Sequence, residues 1–365
     1  MARRVYLHVG TMKAATSYLQ ALFDDNRDLL AEHGITWHTT RLSQHAVHDF
    51  QGSRMLPPRG EGSWKRLREE ISGTTGDVLV SMELMARMPE REAKRLVKAL
   101  DADELRVIVT ARDLTRIVPS HWQETTQNRG TATWSEFVAG VCRGKPANPD
   151  LDLPFWKNHH LPSIVRTWSS VVGAGNVTVV TIPSTGSGAV WERFASVIGV
   201  PAQRAVEPSF GNAALGAASA ELMRRLNNRV EGLEFEQYRR GFKVALAKHG
   251  LSRRADSEPR VSLAPTQHAW LREASAAMVG ELEGLGVRVV GDLGDLVGPA
   301  EPGGAGHDPE DSTDAELLDA ALDGLALLGE RLADAQLTND RLRQRARGRD
   351  EPRRRPLRPL WRRLG

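Results

Sequence analysis

Residues 4–20 constrain this chain more than any other stretch. Arg4-Val5-Tyr6-Leu7-His8-Val9 reads as a short buried strand. It runs into Gly10-Thr11-Met12-Lys13-Ala14-Ala15-Thr16-Ser17, and an amphipathic helix begins near Thr16. A strand, a tight turn carrying Gly and Lys, and paired hydroxyls at a helix start form the layout of an oxyanion cradle. Backbone N–H groups at such a turn face a bound anion, and the helix dipole adds to the attraction. Lys13 supplies a mobile positive charge, and Thr16 and Ser17 supply hydroxyl donors.

The rest of the chain alternates in the same way. Strands are expected at 35–37, 77–81, 105–110, 176–182 and 287–290. Helices are expected at 16–32, 90–100, 114–126, 134–142, 161–172, 189–198, 215–230 and 266–285. Residues 40–63 and 143–160 read as polar or Pro-rich loops bordering a cleft. This alternation predicts an α/β fold: a mostly parallel sheet with helices on both faces, and an anion loop after the first strand.

The chain has 365 residues and one cysteine, Cys142, which excludes an internal disulfide and any multi-cysteine metal site. With no apolar leader and no membrane-length run, the expected compartment is reducing and cytoplasmic. The formal charge of +3 hides strong segregation. Residues 301–340 hold eleven acids against Arg331, and residues 341–365 hold eleven arginines against Asp350 and Glu351. The predicted units are an α/β domain over 1–298, an acidic Pro/Gly linker over 299–312, a helix over 313–346 and a basic, disordered tail over 347–365. Within the helix, Leu318, Leu325, Leu332 and Asn339 fall seven apart, and Ala321, Leu328, Ala335 and Leu342 fill the second seam position. That pattern predicts either a short coiled coil giving a homodimer through 313–343, or a helix packed on the body. The Arg, Leu and Trp of 353–364 suit an anionic membrane surface, peripheral at its inner face. Nothing in the body suggests nucleic acid.

A second anion device follows the 105–110 strand, at Ala111-Arg112-Asp113 and on to Ser120-His121. A guanidinium forks onto a phosphate, and a hydroxyl at a later helix start completes its shell. The order Gly-x-x-Lys-x-x-Thr-Ser, followed by Arg112 and Ser120 eight residues apart, resembles sulfotransferases that use 3′-phosphoadenosine-5′-phosphosulfate (PAPS). The family pattern of the loop is roughly Gly-x-Pro-Lys-Thr-Gly-Thr-Thr, and this chain departs from it at Met12, Ala14 and Ala15. The resemblance implies that Gly10, Thr11, Met12, Lys13, Ala14, Ala15, Thr16 and Ser17 hold the 5′-phosphosulfate. It implies that Arg112 and Ser120 hold the 3′-phosphate. Arg239-Arg240-Gly241-Phe242-Lys243 loosely resembles the family's Arg-Lys-Gly loop.

Sulfuryl transfer demands positioning and charge stabilisation on a leaving oxygen, with no metal. Lys13 is the natural donor to that oxygen. The acceptor hydroxyl or amine of a sugar, glycoconjugate or secondary metabolite needs a base. Glu83 in Ser81-Met82-Glu83, just past a strand end, takes that role; His8 is the second candidate and His121 the third. Two other readings stay open. One is a P-loop nucleotide kinase or NTPase, against which stands the missing Gly-Lys-Ser/Thr. The other is a non-catalytic scaffold on the same fold.

Overall fold

The computed structural model describes residues 4–53, 58–143, 154–184, 187–208, 214–230, 232–302 and 307–350. Its sheet has six strands: β1 (Arg4–His8), β2 (Ile35–Trp37), β3 (Asp77–Ser81), β4 (Glu104–Ala111), β5 (Val177–Thr181) and β6 (Arg288–Val290). They lie in the order β2-β3-β1-β4-β5-β6, and every neighbouring pair is parallel. The α/β prediction is met. Valines dominate these strands because both faces of the sheet are covered. Val5, Leu7, Val80, Val107 and Val109 point to one core, and Tyr6, Leu79 and Ile108 to the other.

The helices are α1 (Thr16–Asp25), α2 (Arg27–Glu32), α3 (Thr40–Phe50), α4 (Ser63–Gly73), α5 (Glu90–Leu100), α6 (Leu114–Gln127) and α7 (Trp134–Arg143). They continue as α8 (Pro154–His159), α9 (Leu161–Val172), α10 (Ser187–Ile198), α11 (Ala217–Asn227), α12 (Phe235–Tyr238), α13 (Pro265–Glu283) and α14 (Asp314–Asp350). A π-helical segment, Arg239–Lys248, follows α12 directly. Helices α3, α4, α5 and α9 cover one face of the sheet, while α1, α2 and α10 cover the other. A third core, built on Trp122, Trp134 and Trp156, joins α6, α7, α8, α11 and α13 beside the sheet. From β1 the chain fills one side of the sheet and then crosses to the other. The direction change falls beside β1, where the crevice at the strand C-termini takes ligands in folds of this kind.

Several elements differ from the sequence expectation. The helix expected over 16–32 is broken at Asn26, which leaves helical geometry. Its side-chain amide donates to Leu22 O and Val206 O at 2.8 Å, and its Oδ1 accepts from Val206 N–H at 2.7 Å. Tertiary bonding thus overrides helical continuity. The loop expected over 40–63 contains α3, capped by Thr39 Oγ1 accepting from Leu42 N–H at 2.8 Å and buried through Leu42, Ala46 and Val47. The loop expected over 143–160 contains α8, and 144–153 lie outside the described residues.

Of the linker expected over 299–312, residues 303–306 lie outside the described residues, and 307–312 are fastened to the body. His307 pairs with Val261, Pro309 is buried, and the Glu310 carboxylate accepts from Ser135 N–H at 2.7 Å. Helix α14 extends to Asp350, past the expected limit at 346; the basic segment from 351 onward lies outside the described residues. No helix among the described residues is long and apolar enough to cross a membrane.

Candidate functional site

The turn after β1 is built by close approach. Val9 N–H donates to Ile108 O at 2.8 Å and Thr11 N–H to Thr110 O at 3.0 Å, so pairing with β4 runs into the turn. A Cβ on Gly10 would collide with Thr110 Oγ1, Thr16 Oγ1 and His8 Nε2, and only glycine fits. Lys13 and Ala15 both adopt left-handed backbone, at φ 63° and 60°. For a residue with a Cβ this conformation costs roughly 1–2 kcal/mol. Ala15 stands where the sulfotransferase pattern has Gly, so the departure carries strain, of the kind that clusters at ligand-binding turns. Ala15 offers no side-chain cap to α1, and the Thr16 hydroxyl is buried without a hydrogen-bond partner among the described residues. Ser17 is exposed in the first turn, Met12 is half-buried, and Thr11 and Ala14 are buried.

Arg112 leaves the end of β4 beside this turn. Its guanidinium reaches Lys13 O at 3.5 Å, and its Nε has no partner. Burial, and then the positive charge of Arg116, push its pKa down to about 10, with Asp113 opposing. Asp113 itself is engaged: it caps α6 by accepting from Arg116 N–H at 3.0 Å and pairs with the Arg116 guanidinium. Arg112 is therefore a half-buried cation with no carboxylate of its own among the described residues. Ser120 is not at a helix start as expected. It lies in the second turn of α6, after Pro119. A small cavity behind Arg112 is lined by Thr11, His159, Ser275, Met278 and Leu296.

Lys13 points into a cluster of charges. Its Nζ donates to Glu124 Oε2 at 3.4 Å. Lys243 Nζ, from the π-helical segment, donates to Glu124 Oε1 and to Asn128 Oδ1, each at 2.7 Å. One carboxylate thus bridges two ammonium groups. Burial alone would raise the Glu124 pKa, but Lys13 and Lys243 outweigh it and hold it at about 2. Glu83 opens a short 3-10 turn, Glu83–Arg87, just past β3. Burial first, and then the charge of Glu124, raise its pKa, while Lys13 and Lys243 pull the other way. Glu83, Lys13, Glu124 and Lys243 therefore share one electrostatic neighbourhood.

His8 is the last residue of β1, beside the turn at Gly10. It is fully buried, with Nδ1 on Ser81 Oγ at 2.8 Å and Nε2 on Thr110 Oγ1 at 3.0 Å. Burial pushes its pKa down to about 3. Both nitrogens are engaged in tying β1 to β3 and β4. His121, the third candidate, is held at about 4 by burial and by Lys13, and its Nδ1 bonds His159 Nε2 at 2.9 Å. Among the described residues, no three His, Cys, Asp or Glu gather as a metal site.

No sequence motif singles out Glu124 or Asn128, and Lys243 enters only through the loose loop resemblance at 239–243. Ser120 and Glu124 on α6, and Asn128 just past its end, recur at spacing four and so share one side of the helix. No family model, curated protein or solved structure matches this chain.

Proposed function

We propose that this chain is a PAPS-dependent sulfotransferase that transfers a sulfuryl group to a hydroxyl or amine of a sugar, glycoconjugate or secondary metabolite. The observation that carries this reading is Arg112: among the described residues, a half-buried guanidinium without a counter-ion, next to a strained turn whose Thr16 hydroxyl is also unpartnered. Groups left open in this way suit a ligand with two separate anionic ends. When bound, the co-substrate would supply an activated sulfuryl group. On the protein side, the turn and the α1 N-terminus hold one anionic end, and Arg112, with Ser120, the other. Lys13 exchanges Glu124 for the oxygen on which negative charge grows. Glu83, with its raised pKa, accepts the proton of the acceptor at neutral pH. The reading retains the cytoplasm as compartment and an anionic membrane surface for the arginine-rich end, the latter testable by vesicle co-sedimentation.

Calorimetric titration tests the reading. The expected result is micromolar binding of 3′,5′-adenosine bisphosphate without divalent metal, and much weaker binding of AMP. Equal affinity for the two nucleotides removes the role of Arg112 and Ser120. Preference for ATP-Mg supports the nucleotide-kinase reading instead, and absence of all binding supports the scaffold.

A further inference from the structure

We propose that α14 pairs antiparallel with the α14 of a second copy of this chain, through the face carrying Leu318, Leu322, Leu325 and Leu332. The opposite face is occupied. Leu317, Ala320 and Leu327 are buried against the body, Gly324 leaves room for only the Leu246 side chain, and Arg254 holds Asp319 and Asp323. This differs from the heptad expectation, since Leu328 of the second seam is drawn half-buried against the body. The outward face should then be polar. Instead Leu318, Leu322, Leu325 and Leu332 are 60, 56, 66 and 60 % exposed. At 3.6 residues per turn these four fall within an arc of roughly 80°. Ala326, Gly329 and Ala333 lie on the same side, small enough for a second helix to approach closely. A leucine stripe turned to water marks an association surface.

The shape of the molecule leaves that face clear. From 329 to 346 every residue is exposed, so the helix projects roughly 27 Å past its docked part. A free helix of that length is marginal in water and gains from a partner. The body lies behind the docked half, so two copies can meet without obstruction. Charge selects the occupant and its direction. Asp308, Glu310, Asp311, Asp314 and Glu316 gather at one end, and Arg341, Arg343 and Arg345 at the other. A parallel pair would set like charges together. An antiparallel pair crossing at the level of Leu327 sets the acidic end of each copy against the arginines of its partner. Leu318 then lies level with Gln336 of the other copy.

Sedimentation velocity of the full-length protein should show a dimer, and Leu325→Glu should weaken association by about 100-fold or more, because each dimer loses two leucines. Two single variants, Leu318→Cys and Gln336→Cys, made in a Cys142→Ser background and mixed, should form the mixed disulfide in preference to either symmetric one. A monomer at all concentrations, or a dimer indifferent to Leu325→Glu, overturns the proposal. Preferential symmetric cross-links overturn its direction.

Discussion

At the scale of single residues, the turn at 10–17 holds more strain than its sequence advertises. Ala15 sits at φ 60°, where glycine pays no steric penalty. Ala15→Gly should stabilise the fold by about 1 kcal/mol in urea denaturation. Lys13→Ala should lower turnover by about 10²–10³, since a donor aimed at developing charge acts only in the transition state. The pH profile reports the carboxylates. If Glu83 is the base of the proposed reaction it has to be ionised to accept a proton, so activity should rise with pH through its raised pKa. Glu124 is one cause of that elevation. Glu124→Gln should therefore move the acid limb of the rate profile to lower pH, while Glu83→Gln should abolish most turnover and leave nucleotide affinity near its starting value. His8 acts on stability with a definite sign. Its folded pKa of about 3 lies below the ordinary value of 6.5, so the stability it lends is whole above about pH 6.5 and is lost as pH falls toward 3.

At the scale of elements, Asn26 shows where local pattern yields to distant bonding. Asn26→Ala removes three hydrogen bonds, at an expected cost of about 2 kcal/mol by chemical denaturation. The sheet was legible because its strands are continuous apolar runs, and the turn after β1 because Gly and Lys follow that strand. Helix α3 was not, since Leu42, Ala46 and Val47 supply a narrow apolar stripe amid polar residues, and the cap at Thr39 is one short side chain. The turn after β1 and the arginine at the end of β4 could be located from spacing, but the bridge at Glu124 could not. It joins positions 111 and 119 residues apart, and nothing local to Lys13 or Lys243 points to the other.

At the scale of the molecule, the C-terminal region divides into a docked part and a free part. Cutting after Ala300 removes Ala320 and Leu328 from a core that also contains Leu246 and Leu251, and with them the buried Leu317 and Leu327. That truncation should lower the melting temperature by several degrees. Among the described residues, cutting after Glu330 removes only exposed ones, and it should leave melting temperature and nucleotide affinity unchanged while weakening self-association. Differential scanning calorimetry of the two truncations distinguishes them. The docked part matters for another reason. Gly324 leans on Leu246, and Leu246 belongs to the π-helical segment that three residues earlier carries Lys243 to Glu124. The outermost helix and a lysine of the innermost cluster thus hang from one strut. A load placed on the tail is a load on the charge balance of the site.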